Sequence, residues 1–574
     1  MSQKIFSRSL SIFLSFCLIA LSFSCAPQKE PADLVLKNGK IVTVDENNPE
    51  AQALAVREDT IVDVGSNSEM DSYIGDETNV IDLKGKLAVP GFIDSHAHFT
   101  SIGKAQMGLD LTQAENWNDI VEMVKKAVQK AEPGEWIIGR GWHQEKWDQT
   151  PEPNVDGLPY HKKLSKVSPQ NPVLLTHASG HSSIANAKAM ELANITKDTP
   201  DPEGGEIVRS PQGNPIGVFR ETAQGPLEEA HHQYLDKRSP EEVEADRKKV
   251  VELADKECVS KGITTLHDAG SSFETIDLFK EFAEKEKLGL RLYVMIGEGN
   301  EALKKHLNEY RISGAGQHHL TVRTIKRFID GALGAHGAWM LKPYKDLPSS
   351  TGLNTTPIEE LKEAARIAIE NDFQLCTHAI GDKANREILN IYEEAFQAHP
   401  QKKDLRWRVE HAQHLHPDDI PRFGELGVIA SMQGIHCTSD GPWVIKRLGE
   451  KRARQGAYVW QKLMKHGATI CNGTDAPVED VDPIPCFYAS VTRKLDDGSR
   501  FYPEQSMSRK EALRSYTING AYASFQEDIL GSLTPGKLAD ITVLSKDIMT
   551  VPEDEILDAE VLYTIVGGKV RYKK

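Results

Sequence analysis

The sequence predicts an α/β protein with three parts. These are an eight-stranded (β/α)8 barrel, a small β-domain built from both termini, and a large insertion after barrel strand 1. Three observations predict it. Through the middle of the chain, apolar strand-like runs alternate with helical stretches, the pattern of βα units on a parallel sheet. Short glycine-punctuated strands occur at both ends. A stretch from about residue 101 to about residue 260, rich in Pro, Gly, His and Trp, separates the first two barrel strands and is too long for one crossover helix. At 574 residues the chain exceeds one ordinary core and requires two or three domains.

The chain opens on a targeting signal, residues 1–24. Lys4 and Arg8 form a basic start, and an apolar, Ser-rich run from Leu10 to Phe23 follows that is short for a membrane span. It ends Leu21-Ser22-Phe23-Ser24-Cys25, a loose version of the sequence that precedes the lipidated cysteine of bacterial lipoproteins. Cys25 is the candidate lipidation site and residues 25–32 the tether. Several acyl chains on one residue would anchor the protein stably, as one would not. The expectation is export, as a membrane-anchored lipoprotein or as a periplasmic protein.

The terminal β-domain takes residues 33–89 and 530–574. Its strands read Leu34-Val35-Leu36, Lys40 to Val44, Ala53 to Val56, Thr60 to Val64, Ala539 to Leu544, Val561 to Val566 and Lys569 to Tyr572, with Gly39, Gly65, Gly85 and Gly567-Gly568 at turns. The barrel takes residues 90–529, with the inserted subdomain at about 101–260. Its strands are expected at 92–96, 264–267, 291–295, 321–328, 373–378, 406–411, 428–432 and 469–472.

A net charge of −16 with no clustered basic residues excludes a nucleic-acid groove and fits a soluble surface. The partner expected is a small molecule, with membrane contact only through the lipid; a homodimer stays open. Of seven cysteines, Cys17 leaves with the signal and Cys25 is the lipid site. Cys258, Cys376, Cys437, Cys471 and Cys486 are too widely spaced for a disulfide framework, although one bridge is allowed.

Candidate chemistry collects at strand ends. His96 and His98 stand two apart at the end of an apolar run, so both imidazoles leave the same side of a strand and form half of a metal site. Barrel active sites lie at the C-terminal ends of the strands. There the fourth strand carries Lys326, the fifth ends in His378, the sixth in His411, and the eighth near Asp475. Singly, Lys326 could be a snorkelling lysine and Asp475 a helix cap. Together the six point to one metal site.

This order of His-x-His, Lys, His, His and Asp resembles the amidohydrolase superfamily. It is most similar to the branch called amidohydrolase family 3, which includes N-substituted formamide deformylases. The similarity spans about residues 33–574. It is carried by Gly134-Glu135-Trp136-Ile137-Ile138-Gly139-Arg140-Gly141-Trp142, Gly217-Val218-Phe219-Arg220-Glu221, Phe328-Ile329-Asp330-Gly331-Ala332-Leu333-Gly334, Val409-Glu410-His411-Ala412-Gln413 and Pro535-Gly536-Lys537-Leu538-Ala539-Asp540. The resemblance implies a distorted TIM-like barrel beside a β-sandwich of both termini. It implies that His96, His98 and Asp475 bind the more buried of one or two divalent ions, zinc foremost, and that His378 and His411 bind the second. In a binuclear site, carbon dioxide would convert Lys326 to a bridging carbamate; the mononuclear alternative leaves it a cation.

The implied reaction is hydrolysis of an amide C–N bond, N-formyl or N-acyl, by a metal-activated hydroxide. Asp475 serves as general base and then acid. His181, in Ser179-Gly180-His181, and His436, in Gln433-Gly434-Ile435-His436, match family positions that touch substrate. Ser179 stands where the family has an acid. His336 stands where relatives carry Ser-Arg, which weakens any carboxylate-binding role. Trp142, with His143 and Trp147, could wall the pocket, or pack in a core. Two other uses of the same site stay open, a lactonase or esterase and a deaminase. A catalytically silent binding lipoprotein is the alternative of another class, and the complete ligand set argues against it.

Overall fold

The computed structural model describes residues 29–574. Cys25 and the targeting segment lie outside the described residues. The barrel strands are β1 (Phe92–Ala97), β2 (Ile263–Ser271), β3 (Arg291–Ile296), β4 (Leu320–Phe328), β5 (Gln374–Ala379), β6 (Arg408–His411), β7 (Ile429–Gln433) and β8 (Ile470–Gly473). They pair in parallel in that order. All eight overlap the predicted strands, and the fold is the expected α/β one. β3 and β5 are buried at every position, as parallel strands covered on both faces require.

The barrel nearly closes between β8 and β1. Gly473 permits this approach, because a Cβ there would stand 2.4 Å from the His96 backbone nitrogen. Just beyond it, Asp475 N donates to His96 O at 2.7 Å and His98 N to Ala476 O at 2.7 Å. The same seam that shuts the barrel therefore seats three of the predicted site residues.

The termini form two facing sheets. One orders Thr60–Gly65, Ala53–Arg57, Leu34–Lys37 and Asn79–Asp82; the other runs from Lys569–Lys573 through Val561–Val566, Ile541–Leu544, Leu87–Pro90 and Lys40–Val42 to Glu50–Ala51. Alternation sorts the side chains. Leu34 and Leu36 meet Ile41, Ile541 and Ile565 between the sheets, while Val35 packs outward on Met70 and Tyr73. A buried pair locks this unit to the barrel: Arg291 of β3 donates to both carboxylate oxygens of Asp540, at 2.8 and 3.0 Å. The bidentate geometry fixes orientation as well as distance.

The insertion builds a six-stranded mixed sheet from Leu109–Asp110 to Pro215–Glu221, with apolar clusters on both faces. The chain returns to the barrel through the helix Pro240–Ser260. Its start is set by Pro240 at the first turn and by a reciprocal Ser239–Glu242 capping box. Among the described residues Cys258, Cys376, Cys437, Cys471 and Cys486 are all free and buried, and no helix is long and apolar enough to cross a membrane.

Candidate metal centre and active site

Strand periodicity aims most of the floor of the site. On β1, Asp94 and His96 share the inward side; on β4, Thr324 and Lys326; on β5, Gln374, Cys376 and His378. β6 breaks the rule. Arg408 and Glu410 face inward, so strict alternation would send His411 outward with Val409. Instead the His411 backbone takes φ +76° and turns its ring inward as well. Asp475, at φ +59°, comes back over β1 from the loop after β8. Such left-handed backbone at non-glycine residues costs of order 1–3 kcal/mol each and collects at functional sites.

The predicted residues converge. One nitrogen each of His96 and His411 and an oxygen of Asp475 lie within 4.8 Å of one another. Asp475 Oδ1 is 3.5 Å from His96 Nε2 and 3.3 Å from His98 Nε2, and its Oδ2 is 3.9 Å from His436 Nε2. Lys326 Nζ lies 3.4 Å from His96 Nε2. The His378 and His411 rings are 4.5 Å apart between centroids.

A second ring of side chains sets which atoms face that point. Glu410 accepts a hydrogen bond from His96 Nδ1, and Gln433 Oε1 accepts from His411 Nδ1 at 2.8 Å, so each ring turns its Nε2 lone pair inward. Arg408 grips Glu410 with two donors, at 2.7 and 2.9 Å, and reaches Ser95 O, Ser431 Oγ and His267 Nδ1. Asp94 accepts from His96 N at 3.0 Å and from Thr474 Oγ1 at 2.5 Å. Asp330 accepts from the backbone of Trp339, Ile380 and Gly381, tying the loop after β4 to that after β5.

Electrostatics leave an electron-rich point. Burial, and then Lys326, hold His96 down to about 4. Burial keeps His378 and His411 well below the usual histidine value. Burial opposes ionisation of Asp475, but His98, His411 and His96 outweigh it and hold the carboxyl well below its ordinary range. Burial likewise opposes Glu410 until Arg408 and His96 prevail. Burial pushes Asp94 up to about 7 and lowers Lys326 below the ordinary lysine value. Asp475 Oδ1 and the Nε2 atoms of His378 and His436 are buried without a hydrogen-bond partner among the described residues. Imidazole nitrogens gathered around an ionised carboxylate, several of these atoms buried without a hydrogen-bond partner, form a donor set that fits a divalent cation.

Above this floor opens a cleft. His378, His411, His436 and Asp475 form its base, and His143, His177, His181, Gln413, Asp440 and Trp443 its walls. His181 Nδ1 donates to Glu221 Oε2 at 2.8 Å; burial opposes its protonation, but Glu221 outweighs that and raises its pKa. Ion pairs join the insertion to the barrel over the mouth. Glu145 takes Arg447 at 2.9 Å and Lys446 at 3.3 Å, and Lys146 faces Glu479 at 3.6 Å.

Two expected pocket residues lie elsewhere. Trp142 is buried in the core of the insertion, where its Nε1 donates to Leu175 O at 2.8 Å; its bulk supports His177 from behind. His336 turns away to Asp346, at 3.3 Å, and to the Tyr344 ring, while its neighbours Gly334 and Ala335 line the cavity. Sequence reading gave no role to Arg408, Glu410, Gln433 or Asp94. For Asp94 a signal existed, since alternation places it on the same side as His96.

Comparison with known proteins agrees with this geometry. The sequence matches the family described as Amidohydrolase family over residues 79–572. This chain belongs to the amidohydrolase family. Protein LONG AFTER FAR-RED 3 of Arabidopsis thaliana is 34% identical over 556 residues, covering 94% of this chain and 92% of that one. An N-substituted formamide deformylase of Arthrobacter pascens is 26% identical over 550 residues, covering 94% of this chain and 98% of that one. The crystal structure of an uncharacterized metal-dependent hydrolase from Pyrococcus horikoshii superposes with a TM-score of 0.71 at 26% identity, covering 91% of this chain and 99% of that one. The amidohydrolase family fold thus extends over nearly all of the described chain, insertion included.

Proposed function

We propose that this amidohydrolase cleaves the amide C–N bond of a small N-formyl or N-acyl compound, using one or two divalent cations, zinc foremost. The observation that carries the reading is the convergence of His96, His411 and the ionised Asp475 carboxylate, whose Oδ1 has no hydrogen-bond partner among the described residues, at the base of a cleft. The similarity to a formamide deformylase supports the bond type. His96, His98, His378, His411 and Asp475 would hold the metal. When bound, a divalent cation there polarises a carbonyl and brings the pKa of water near neutrality.

The chain's own residues do the rest. Asp475 accepts a proton at its carboxylate and returns it to the leaving nitrogen. Glu410 and Gln433 keep the His96 and His411 lone pairs aimed. Addition of carbon dioxide at Nζ of the buried Lys326, with loss of a proton, would give a carbamate whose oxygens would serve as further metal ligands. Metal per chain and turnover of N-formyl, N-acyl, dipeptide and lactone compounds test the reading. Two metals with amine release support the bridged form, one metal leaves Lys326 unmodified, and lactone opening alone overturns the bond type.

A further inference from the structure

One carboxylate in the wall of the cleft has no counter-charge. Asp440 precedes the helix Gly441–Leu448, where an aspartate ordinarily caps the first turn, yet its side chain makes no capping bond. It is drawn instead into a triangle with Gln413 and Tyr458. Asp440 Oδ2 accepts from Gln413 Nε2 at 2.7 Å and from the Tyr458 hydroxyl at 2.7 Å, and Gln413 Nε2 also donates to that hydroxyl. Tyr458 is buried, its backbone N–H donates to Gln413 O at 2.9 Å, and its left-handed backbone at φ +50° positions the hydroxyl. The triangle uses one oxygen of Asp440 and the nitrogen of the Gln413 amide. Asp440 Oδ1 and Gln413 Oε1 are left without a hydrogen-bond partner among the described residues, and neither is sealed in the interior. Both residues line the cleft.

Other carboxylates in this end of the barrel, Glu145, Asp346, Asp419 and Glu410, each face an arginine. Asp440 has no ion pair among the described residues. The lining holds one lysine and no arginine, and that lysine, Lys146, faces Glu479 at 3.6 Å. Burial holds His143 down to about 4, so its ring brings no charge to the wall near neutrality. Burial also raises Asp440 above the ordinary carboxylate value, against His436 and Tyr458, because no cation offsets its lost hydration. A carboxylate oxygen and an amide oxygen that open on one cleft can take the N–H donors of an ammonium group and supply its counter-charge. Trp443 adds an indole to the same wall, a surface compatible with a cation. His436, at the base, accepts the Asp440 backbone N–H at 3.0 Å, which sets the carboxylate about one helical turn, roughly 5 Å, from the base. We propose that Asp440 and Gln413 form a cation subsite, and that the substrates are N-formyl or N-acyl compounds carrying an ammonium group a few bonds from the scissile amide. This rests on the amide-hydrolase reading above.

The test compares N-formyl amines alike except for a chain end of ammonium, methyl or carboxylate, made at several chain lengths and given to the metal-loaded enzyme. At its best length the ammonium compound should exceed the methyl one at least about tenfold in kcat/KM, the lower end of what a hydrogen bond to a charged group is worth, and the carboxylate compound should be the poorest. Asp440→Asn keeps the shape and loses the charge, and should erase that preference with metal per chain unchanged. Tyr458→Phe removes a donor from Oδ2 and should weaken the preference. Calorimetric titration of the Asp475→Asn protein with the ammonium compound reads binding without turnover, and adding Asp440→Asn should weaken it at least about tenfold. Equal use of the three compounds, or a preference that survives Asp440→Asn, would overturn the subsite and leave the amide reading standing. No turnover of any compound, with binding that still depends on Asp440, would overturn the amide reading and keep the subsite. Neither turnover nor binding would overturn both.

Discussion

The floor and the wall of this cavity are built by different rules. The floor comes from strand ends, where a two-residue period aims His96, Lys326 and His378 and one backbone distortion adds His411. Two of the floor rings are backed by buried polar partners, His96 by Glu410 and His411 by Gln433. The wall comes from the insertion and the long barrel loops, and its side chains are placed by contacts between segments hundreds of residues apart, such as Glu145 with Arg447. The floor therefore gathers the candidate metal ligands, whereas the wall lines the space above them. Substitutions in the two regions should separate into losses of turnover or metal and losses of affinity.

The largest effect is expected at Asp475. Asp475→Asn keeps the size of the side chain but removes the proton acceptor, and turnover should fall roughly 10²–10⁴-fold while metal stays bound. Full activity with normal metal content would sink the assigned role. Next comes Glu410, whose loss strands Arg408 in the barrel interior. Glu410→Gln should cost about 3–5 kcal/mol of stability and about 10–100-fold in metal affinity, measured by denaturant unfolding and by titration with a competing chelator. The sign with pH follows from its depressed pKa. Its contribution is complete above the ordinary value of 4.5 and is lost as pH falls through the lower folded value, so the gap between wild type and variant should close on acidification. A gap independent of pH would show that the carboxylate's charge is not what matters.

The same division explains what could be read from the sequence. The eight barrel strands were legible because buried parallel strands are apolar runs of fixed direction, and the ligand types sat at their ends. His411 was legible by its residue type and not by its geometry, since alternation alone points it outward. Glu410 and Arg408 were hidden because a carboxylate and a guanidinium inside a barrel are informative only once the strands close around them. In the wall, residue type misled. Trp142 belongs to a core that only the insertion sheet reveals, and His336 sits one residue past the cavity lining on a backbone at φ +59°. Glu221 and Gly331 each lie in a recognisable motif, but their contact joins positions more than a hundred residues apart and shows only in the folded chain.

Smaller effects should test the wall. Glu145→Ala leaves Arg447 with Asp346 and the Gly334 carbonyl but unties the loop that carries His143 and Lys146. It should lower stability by about 1.5 kcal/mol and raise KM severalfold with kcat nearly unchanged. Added salt should raise the wild-type KM toward the variant's, because the Lys446 and Lys146 pairs reach solvent. A fall in kcat with constant KM would place this loop in the chemistry instead.

The smallest effect, at Trp142, sharpens the boundary between wall and core. Trp142→Phe keeps an aromatic ring against Leu175 and His177 but leaves the Leu175 carbonyl without its donor. Losing that one neutral hydrogen bond should cost about 1 kcal/mol, visible as a lower melting temperature. Because the indole lies behind His177 and not on the cavity surface, KM should stay within about twofold of wild type, well under the tenfold step that 1.4 kcal/mol of lost binding would give. A tenfold rise in KM at unchanged stability would move Trp142 into the wall and make His177 movable.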